Sequence, residues 1–422
     1  MKRAIIITWV VFFLAIMLLS FKKEVALPPV QIGVLHSQTG TMAVSEQSVI
    51  DATLLAIDQL NLQGGVLGRK VEAIVADGGS DPAEFSRQAQ RLIDRERVVA
   101  LFGCWTSASR KEVKKVVEEA NHLLIYPVQY EGVESSPSII YTGLVPNQQI
   151  KPAVKWAMDN IGNRFFLLGS DYIFPHMANT LIRDMADFVD GSVVGERYVL
   201  LGSSEFDYII EEIETTRPAV IFNTLNGDSN FAFFAALKKH GISAADIPVF
   251  SFSIAETELQ VLSDRLGIEF LVGHYVAGSY FQTLPGIENN DFINLFTDRF
   301  GNERRVTDAM VSAYDGVMLW AQAAQESGSV DPTVVCNAFG RQGRNGPGGI
   351  IYIDDHNHHA WKSVRIGRIN YQGLFDIIWD SQKLIKPEPY PFYRNVNIWQ
   401  DMENQLYKQW GNNWQNPQGV EH

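Results

Sequence analysis

Short apolar segments alternate with longer segments of helical periodicity from Val30 to Ala277, and this alternation limits the fold more than any other feature. The first two apolar runs, VQIGVLH and VEAIVA, flank a stretch with apolar residues at helical spacing, and the same order recurs up to FLVGHYVA at residues 270–277. Such alternation is typical of parallel β-sheets covered by helices on both faces. With 422 residues the chain is long enough for two such units. We therefore predict an α/β fold with two doubly wound parallel-sheet lobes.

The pattern changes in the last third of the chain. A long helix with an apolar stripe is predicted at residues 307–325, and three strands of hairpin type follow, GGIIYID, KSVRIGRIN and LFDIIWD. Residues 391–422 are rich in Trp, Asn, Gln and Pro, and we interpret them as a C-terminal tail without visible chemistry.

Composition argues against several classes of function. The net charge is −13 and Lys and Arg form no cluster, so a nucleic-acid partner is not expected. Two cysteines, Cys104 and Cys336, are too few for a disulfide framework, and they lie in separate predicted elements. The glycine-rich stretch at residues 340–349 precedes a strand instead of a helix, so it does not predict a phosphate site.

The N-terminus carries an apolar segment. Lys2 and Arg3 precede an uncharged run of 18 residues, 4–21, and Lys22 and Lys23 follow it. A run of this length can just span a bilayer, and it is also a long apolar region for a secretory signal. No convincing A-x-A cleavage motif precedes LPPVQIG. We therefore predict export, with residues 1–28 as a signal or as a membrane anchor.

Polar side chains follow most of the predicted strands. VVALF at residues 98–102 runs into GCWTS, and later strands run into YPVQYEG, GSDYIFP, NTLNGDSN, SFSIAE and AGSYFQ. Ligands of open parallel sheets bind beyond the carboxyl ends of the strands, so these groups indicate a cleft that holds a small polar molecule. Ser107 is expected to cap the helix at 107–120 and Trp105 to form a wall of the cleft. The alternative is a simple helix cap next to a core tryptophan.

Several of these segments together resemble a known family. GGVLGRKVEAIVADGGSDP, FGCWTSASRKEV, YPVQYEG, TGLVPNQQ, GSDYIFP and NHHAWKSVRIGRI are similar to the urea and short-chain-amide branch of the type I periplasmic binding proteins. The resemblance covers roughly residues 30–390, and CWTSASRK, YPVQYEG and GSDY are its most specific parts. It implies an extracytoplasmic protein that captures urea or a short amide and delivers it to the permease of an ABC transporter.

The resemblance also implies a division of the chain into lobes joined by three crossovers. Lobe 1 would hold residues 29–148 and 279–345, and lobe 2 would hold 149–278 and 346–390. A hinge motion would close the cleft on the ligand. Phe174 stands where the related amide sensor has tyrosine. The resemblance and the hydrogen-bonding needs of urea together give ten expected ligand-binding residues: Trp105, Thr106, Ser107, Tyr126, Gln129, Tyr172, Phe174, Asn226, Asp228 and Glu256.

Urea has one acceptor oxygen and four N–H donors, and an unmatched buried polar group is costly. Ser107, Thr106 and backbone N–H groups are expected to face the oxygen, and Ser107→Ala is expected to weaken binding by about 1–3 kcal/mol. The N–H acceptors would be Asp228, Glu256 and the Gln129 carbonyl, and the aromatic walls would be Trp105, Tyr126 and Tyr172. A small amino acid would satisfy much the same set, and Asp228 is also well placed to cap the helix at 229–240.

Three other functions have some support in the sequence. Cys104 would be the nucleophile of an amide hydrolase, but no histidine lies near it in sequence and GCWTS is not a G-x-S-x-G elbow. The histidines and aspartates of DDHNHHAWK, residues 354–362, could bind zinc or nickel, although a turn between strands is the simpler interpretation. An uncleaved segment at residues 4–21 would tether an amide or amino-acid sensor that acts through a partner. We expect no catalytic residue, metal or cofactor.

Overall fold

The first part of the alternating pattern forms a five-stranded parallel sheet in the computed structural model, which describes residues 27–188 and 190–417. The strand order is β2-β1-β3-β4-β5. Strand β1 is buried on both faces, as its near-continuous apolar sequence requires. The strands are β1 (Val30–His36), β2 (Val71–Asp77), β3 (Leu101–Gly103), β4 (Leu124–Tyr126) and β5 (Ile139–Tyr141), and the helices are α1 (Ala43–Leu62), α2 (Pro82–Asp94) and α3 (Ser107–Glu119).

The second part of the pattern forms the parallel strands of a larger sheet. Its strands are β6 (Arg164–Ser170), β7 (Ser192–Val199), β8 (Val220–Thr224), β9 (Val249–Ser251) and β10 (Tyr275–Gly278). Its helices are α4 (Ile150–Asn160), α5 (Ile173–Phe188), α6 (Asp207–Thr216), α7 (Ser229–Lys239), α8 (Glu256–Leu266) and the short α9 (Ile268–Leu271). The predicted strand at 270–277 is therefore wrong in its first half. Gly273 has a φ of +99°, which interrupts the extended backbone and lets β10 begin only at Tyr275.

The remaining elements complete both sheets. Helices α10 (Ile287–Phe300), α11 (Asp308–Ser327) and α12 (Pro332–Phe339) precede a three-stranded sheet of β11 (Gly343–Gly346), β12 (Gly349–Ile353) and β13 (Ala360–Trp361). Strands β14 (Arg365–Ile369) and β15 (Phe375–Asp380) then add to the larger sheet in antiparallel orientation. The order of that seven-stranded sheet is β15-β14-β10-β9-β8-β6-β7. The chain passes between the two large sheets after β5, after β10 and after β13, which gives the three crossovers.

The buried cores indicate where the lobes divide. Phe292, Trp320, Ile351 and Ile353 pack in the core of the five-stranded sheet, so helices α10 and α11 and strand β12 lie with that sheet. The boundary predicted from sequence assigned residues 346–390 to the other lobe. Only β14 and β15 of that stretch hydrogen-bond into the seven-stranded sheet. We therefore propose a first lobe of residues 30–148 and 279–361 and a second lobe of residues 149–278 and 362–388.

The C-terminal segment is packed on the protein. Helix α13 (Val396–Gln409) places Trp399 in the core of the second lobe. The segment also contacts the first lobe, where Val133 donates its N–H to the Pro389 carbonyl at 2.7 Å and Lys111 pairs with Glu403 at 2.9 Å.

Within the described ranges, no helix has both the length and the apolar character needed to cross a bilayer. The apolar run at residues 4–21, predicted to be a signal or an anchor, lies outside those ranges.

Candidate functional site

A small cavity of about 30 Å³ lies between the two lobes. The first lobe contributes side chains that follow its strands, and the second lobe contributes the turn after β9 and the end of β10. A cavity that holds a single water needs about 10–15 Å³ on this measure, so the space suits a ligand of only a few atoms. Its polar and aromatic lining includes Trp105, Gln129, Gln149, Ser253, Glu256, Glu258, Tyr280 and Asp308.

Hydrogen bonds between the lobes hold this cleft closed. The Trp105 Nε1–H donates to Asn226 Oδ1 at 3.3 Å, and Gln129 Nε2 donates to the Phe252 carbonyl at 2.9 Å. Further out, Ser45 Oγ donates to Glu258 Oε1 at 2.6 Å. These contacts pair residues that are far apart in sequence, and each must break if the lobes separate.

The start of helix α3 differs from the prediction. Thr106 is the N-cap residue, and its hydroxyl oxygen accepts the Ser109 N–H at 3.1 Å. Ser107 is the first helical residue, so the predicted cap is wrong by one position. Its hydroxyl donates to Glu131 and accepts from Arg110 at 3.0 Å. Neither hydroxyl is therefore free to face the oxygen of a ligand.

The aromatic residues carried over from the resemblance lie around Glu131. Tyr126 is fully buried and donates its hydroxyl to the Trp105 carbonyl at 2.6 Å. The pKa of Tyr172 lies well above its usual range, first because of burial and then because of the nearby Tyr126 and Glu131. The structure therefore brings Tyr126 and Tyr172 close to the buried carboxylate of Glu131, and Tyr126 links this group to the backbone of Trp105. Sequence reasoning missed Glu131, although it lies inside the YPVQYEG motif.

The carboxyl group of Glu256, which lines the cavity, has a raised pKa. It is almost completely buried, and its Oε1 accepts the Gln282 N–H at 2.7 Å. Its pKa is raised to about 8, first by burial and then by the negative charges of Asp308 and Glu258, while hydrogen bonds from the Gln282 and Glu256 N–H groups act in the opposite direction. A carboxyl with this pKa holds its proton near neutral pH and can then donate a hydrogen bond.

Five of the polar and aromatic lining residues named above were not selected from the sequence: Glu258 and Asp308, on helices α8 and α11, and Gln149, Ser253 and Tyr280. Gln149 follows the first crossover, and its Nε2 donates to the Phe252 and Ala277 carbonyls at 3.1 and 2.9 Å. The Ser253 hydroxyl is buried and has no hydrogen-bond partner among the described residues. Tyr280 follows β10, and its hydroxyl donates to Asn289 Oδ1 at 2.6 Å. The last three lie in strand-end segments that the sequence had marked, but nothing in the local pattern separates them from their neighbours.

Seven of the ten predicted site residues lie outside the lining of this cavity: Thr106, Ser107, Tyr126, Tyr172, Phe174, Asn226 and Asp228. Asp228 is exposed at the N-cap position of α7, without a side-chain hydrogen bond to the helix, and its N–H donates to Thr41 Oγ1 at 3.2 Å. Its carboxylate therefore neither lines the cavity nor caps the helix. Phe174 packs in the core of the second lobe, with its ring centroid 6.2 Å from that of Tyr172.

The residues considered for an amide hydrolase and for a metal site are not arranged for either function. Cys104 and Cys336 are both free and buried, and burial raises the pKa of the Cys104 thiol well above its usual range. A thiol in that state is a poor nucleophile. In the histidine-rich turn, His359 stacks on Tyr141 with ring centroids 4.1 Å apart, whereas His356 is exposed. The described residues contain no group of three His, Cys, Asp or Glu side chains placed to hold a metal ion.

The raised pKa of Glu256 predicts that stability falls as pH rises. Between its unfolded value of 4.5 and about 8, the folded state holds the proton and the unfolded state does not, so each pH unit costs up to about 1.4 kcal/mol. We expect the melting temperature of the wild type to fall more between pH 5.5 and 8.5 than that of Glu256→Gln. Thermal melts followed by circular dichroism measure this. Parallel curves for the two proteins would contradict it.

The contacts of Ser107 change the expectation for its alanine variant. Ser107→Ala removes the donor to Glu131, which is buried, so we expect a loss of about 1–3 kcal/mol in the free energy of unfolding. Ser109→Ala is a useful comparison, because it removes a hydroxyl from the same turn whose partners, on Thr106 and Cys104, include no carboxylate. Equal thermal stability of Ser107→Ala and the wild type would show that the contact with Glu131 contributes nothing.

Two α/β lobes that close on a small cavity define a ligand-binding protein of the two-lobed class. The chain belongs to the periplasmic binding protein domain family, whose sequence profile matches residues 30–396. This agrees with the predicted fold class and with the prediction that the chain is a binding protein and not an enzyme. The family is extracytoplasmic, as its name states.

Individual relatives are more distant. The Leu/Ile/Val-binding protein homolog 6 of Brucella abortus is 22% identical over 297 residues, which are 69% of this chain and 75% of that protein. A protein named limonene hydroxylase from Geobacillus stearothermophilus is 32% identical over 143 residues, but these cover 34% of this chain and only 26% of that protein.

Solved structures show the same fold. A solute-binding protein of an ABC transporter from R. palustris, in complex with 4-hydroxybenzoate, superimposes with a TM-score of 0.76 at 24% identity, covering 84% of this chain and 96% of the other. A branched-chain amino acid transporter substrate-binding protein from Streptococcus pneumoniae, in complex with isoleucine, gives a TM-score of 0.73 at 17% identity, covering 85% of this chain and 100% of the other.

Proposed function

We propose that the protein captures urea or a short-chain amide in the cleft and delivers it to the permease of an ABC transporter. The observation that carries the proposal is the size and chemistry of the cavity. About 30 Å³ leaves no room for a benzene ring or a leucine side chain unless the lobes rearrange. No basic side chain is among the described residues that line it, so a ligand carboxylate would lack a counter-charge there.

The relatives support the transport role, and the cavity argues for a different ligand. The structural neighbours carry 4-hydroxybenzoate and isoleucine, both of which have a carboxylate. Here the polar lining is made of amide, hydroxyl and carboxyl groups, with Trp105 and Tyr280 as aromatic walls. These groups match the N–H donors and single carbonyl of a small amide.

Isothermal titration calorimetry on the full chain tests the proposal. Urea, acetamide, leucine, glutamate and 4-hydroxybenzoate are titrated in turn under the same conditions. Saturable heat with urea or acetamide, and none with the three carboxylates, is the expected result. Saturable heat only with leucine, glutamate or 4-hydroxybenzoate would keep the binding fold and overturn the amide assignment.

A further inference from the structure

The hydrogen-bonding groups of the cavity are mostly acceptors. Gln149 donates both Nε2 hydrogens to backbone carbonyls and Gln129 donates one, which leaves the amide oxygen of each side chain and a single N–H of Gln129. The Ser253 hydroxyl has no partner among the described residues. A ligand that satisfies such a lining must bring many N–H donors and few acceptors.

The charge of the lining is negative. Glu256, Glu258 and Asp308 all line the cavity, and Lys362, which does not line it, pairs with Asp308 Oδ1 at 3.5 Å. The Glu258 carboxylate is well satisfied, because it accepts from Ser45, from the Ala255 N–H and from Thr257. Asp308 accepts two hydrogen bonds from Ser279, in addition to the Lys362 contact. Glu256 has a single contact to a distant residue, the Gln282 N–H, so it retains the most acceptor capacity.

From this geometry we propose that the cavity also binds small planar amidinium cations, with guanidinium as the simplest, and that Glu256 is the residue that separates these cations from urea. The inference rests on the proposed function, because it uses the same cavity. Guanidinium has the planar three-branched shape of urea, but it carries six N–H donors, a positive charge and no acceptor. It therefore fits an acceptor-rich, negative lining better than urea does.

The two ligands need opposite protonation states of Glu256. A protonated Glu256 can donate its O–H to the carbonyl oxygen of urea, whereas an ionised Glu256 can accept two N–H groups of guanidinium. Guanidinium binding therefore releases the Glu256 proton to solvent. The groups that face Glu256 are Glu258 on the same helix, Asp308 on α11 and Tyr280, and the two carboxylates favour the protonated state in the empty cleft.

Calorimetry with millimolar guanidinium chloride and urea, against matched KCl, tests the inference at pH 6.5 and 8.5. We expect the guanidinium affinity to rise about tenfold or more over this interval, because the pKa of Glu256 is about 8. The urea affinity should stay level or fall. Repeating the titration at pH 6.5 in two buffers of different ionisation enthalpy reports the released proton directly.

The variant Glu256→Gln provides a second test of the inference. Glutamine removes the charge but keeps a donor for the carbonyl of urea, so guanidinium affinity should fall at least thirtyfold and by a clearly larger factor than urea affinity. Glu269→Gln, an exposed change outside the cavity lining, should alter neither. Urea binding without guanidinium binding, or guanidinium binding unchanged in Glu256→Gln, would overturn the inference and leave the proposed function intact. The absence of binding by guanidinium, urea and acetamide alike would overturn both.

Discussion

Arg110→Met is expected to lower the free energy of unfolding by about 3–5 kcal/mol, a larger loss than that expected for Ser107→Ala. Arg110 is completely buried and holds Glu131 at 3.1 Å and Glu134 at 2.9 Å. Methionine fills a similar volume but leaves both carboxylates without that cation in a water-free environment. Burial alone would raise the pKa of Glu134, but the ion pairs with Arg110 and Lys111 hold it below its usual range, and this stabilisation is present at neutral pH.

Thermal melts are the right measurement for Arg110→Met, because urea and guanidinium are candidate ligands. For a chain of 422 residues that unfolds as one unit, a loss of this size lowers the melting temperature by roughly 3–6 °C. Arg87→Met is the matched control, since Arg87 pairs with Glu84 on an exposed helix surface and should change stability by less than about 1 kcal/mol. Arg110→Lys should restore only part of the lost stability, because a lysine ammonium lacks the planar set of N–H donors with which the guanidinium binds both carboxylates. Equal melting temperatures for Arg110→Met and Arg87→Met would contradict the expectation.

Trp105→Ala is expected to weaken ligand binding at least thirtyfold, or about 2 kcal/mol. The indole forms one wall of the cavity and donates to Asn226 across the cleft, so its loss removes ligand contact and a closing hydrogen bond together. Trp105→Phe keeps an aromatic wall without the donor and should give an intermediate affinity.

Calorimetry with urea or acetamide measures the effect of Trp105→Ala. Trp379→Ala is the control, because Trp379 is half-buried on the second lobe and does not line the cavity; its affinity should stay within about twofold of the wild type. Wild-type affinity in Trp105→Ala would place the ligand away from this cleft.

The architecture could be predicted from the sequence because each strand and helix of an α/β fold has its own local pattern of apolar residues, and the alternation of these patterns indicates parallel sheets. The apolar strand VQIGVLH and the strand RFFLLGS appear with the predicted boundaries, 30–36 and 164–170. Strand β3 begins at Leu101, three residues later than the predicted strand VVALF. The backbone before it already bonds to β1, because Val99 donates its N–H to the Gln31 carbonyl and the Ala100 carbonyl accepts the Gly33 N–H, each at 2.9 Å. The difference therefore concerns where the strand begins and not whether the segment joins the sheet.

The candidate site was predicted less completely for a physical reason. Trp105, Gln129 and Glu256, which the strand-end motifs selected, line the cavity in the structure. Motif position does not fix where a side chain points, so it could not show that Ser107 turns toward Glu131 or that Asp228 stays at the surface. Gln149 reaches the cavity only because it donates to two backbone carbonyls that are 103 and 128 residues away in sequence.

The C-terminal segment has a mechanical consequence. It is fixed to the first lobe through Pro389 and Glu403, and to the second through Trp414, whose carbonyl accepts the Ile173 N–H at 3.0 Å. The lobes can rotate about the crossovers only as far as the C-terminal segment, which is bound to both of them, allows without breaking those bonds. The amplitude of opening is therefore set partly outside the cleft, by a stretch of chain that does not line the cavity.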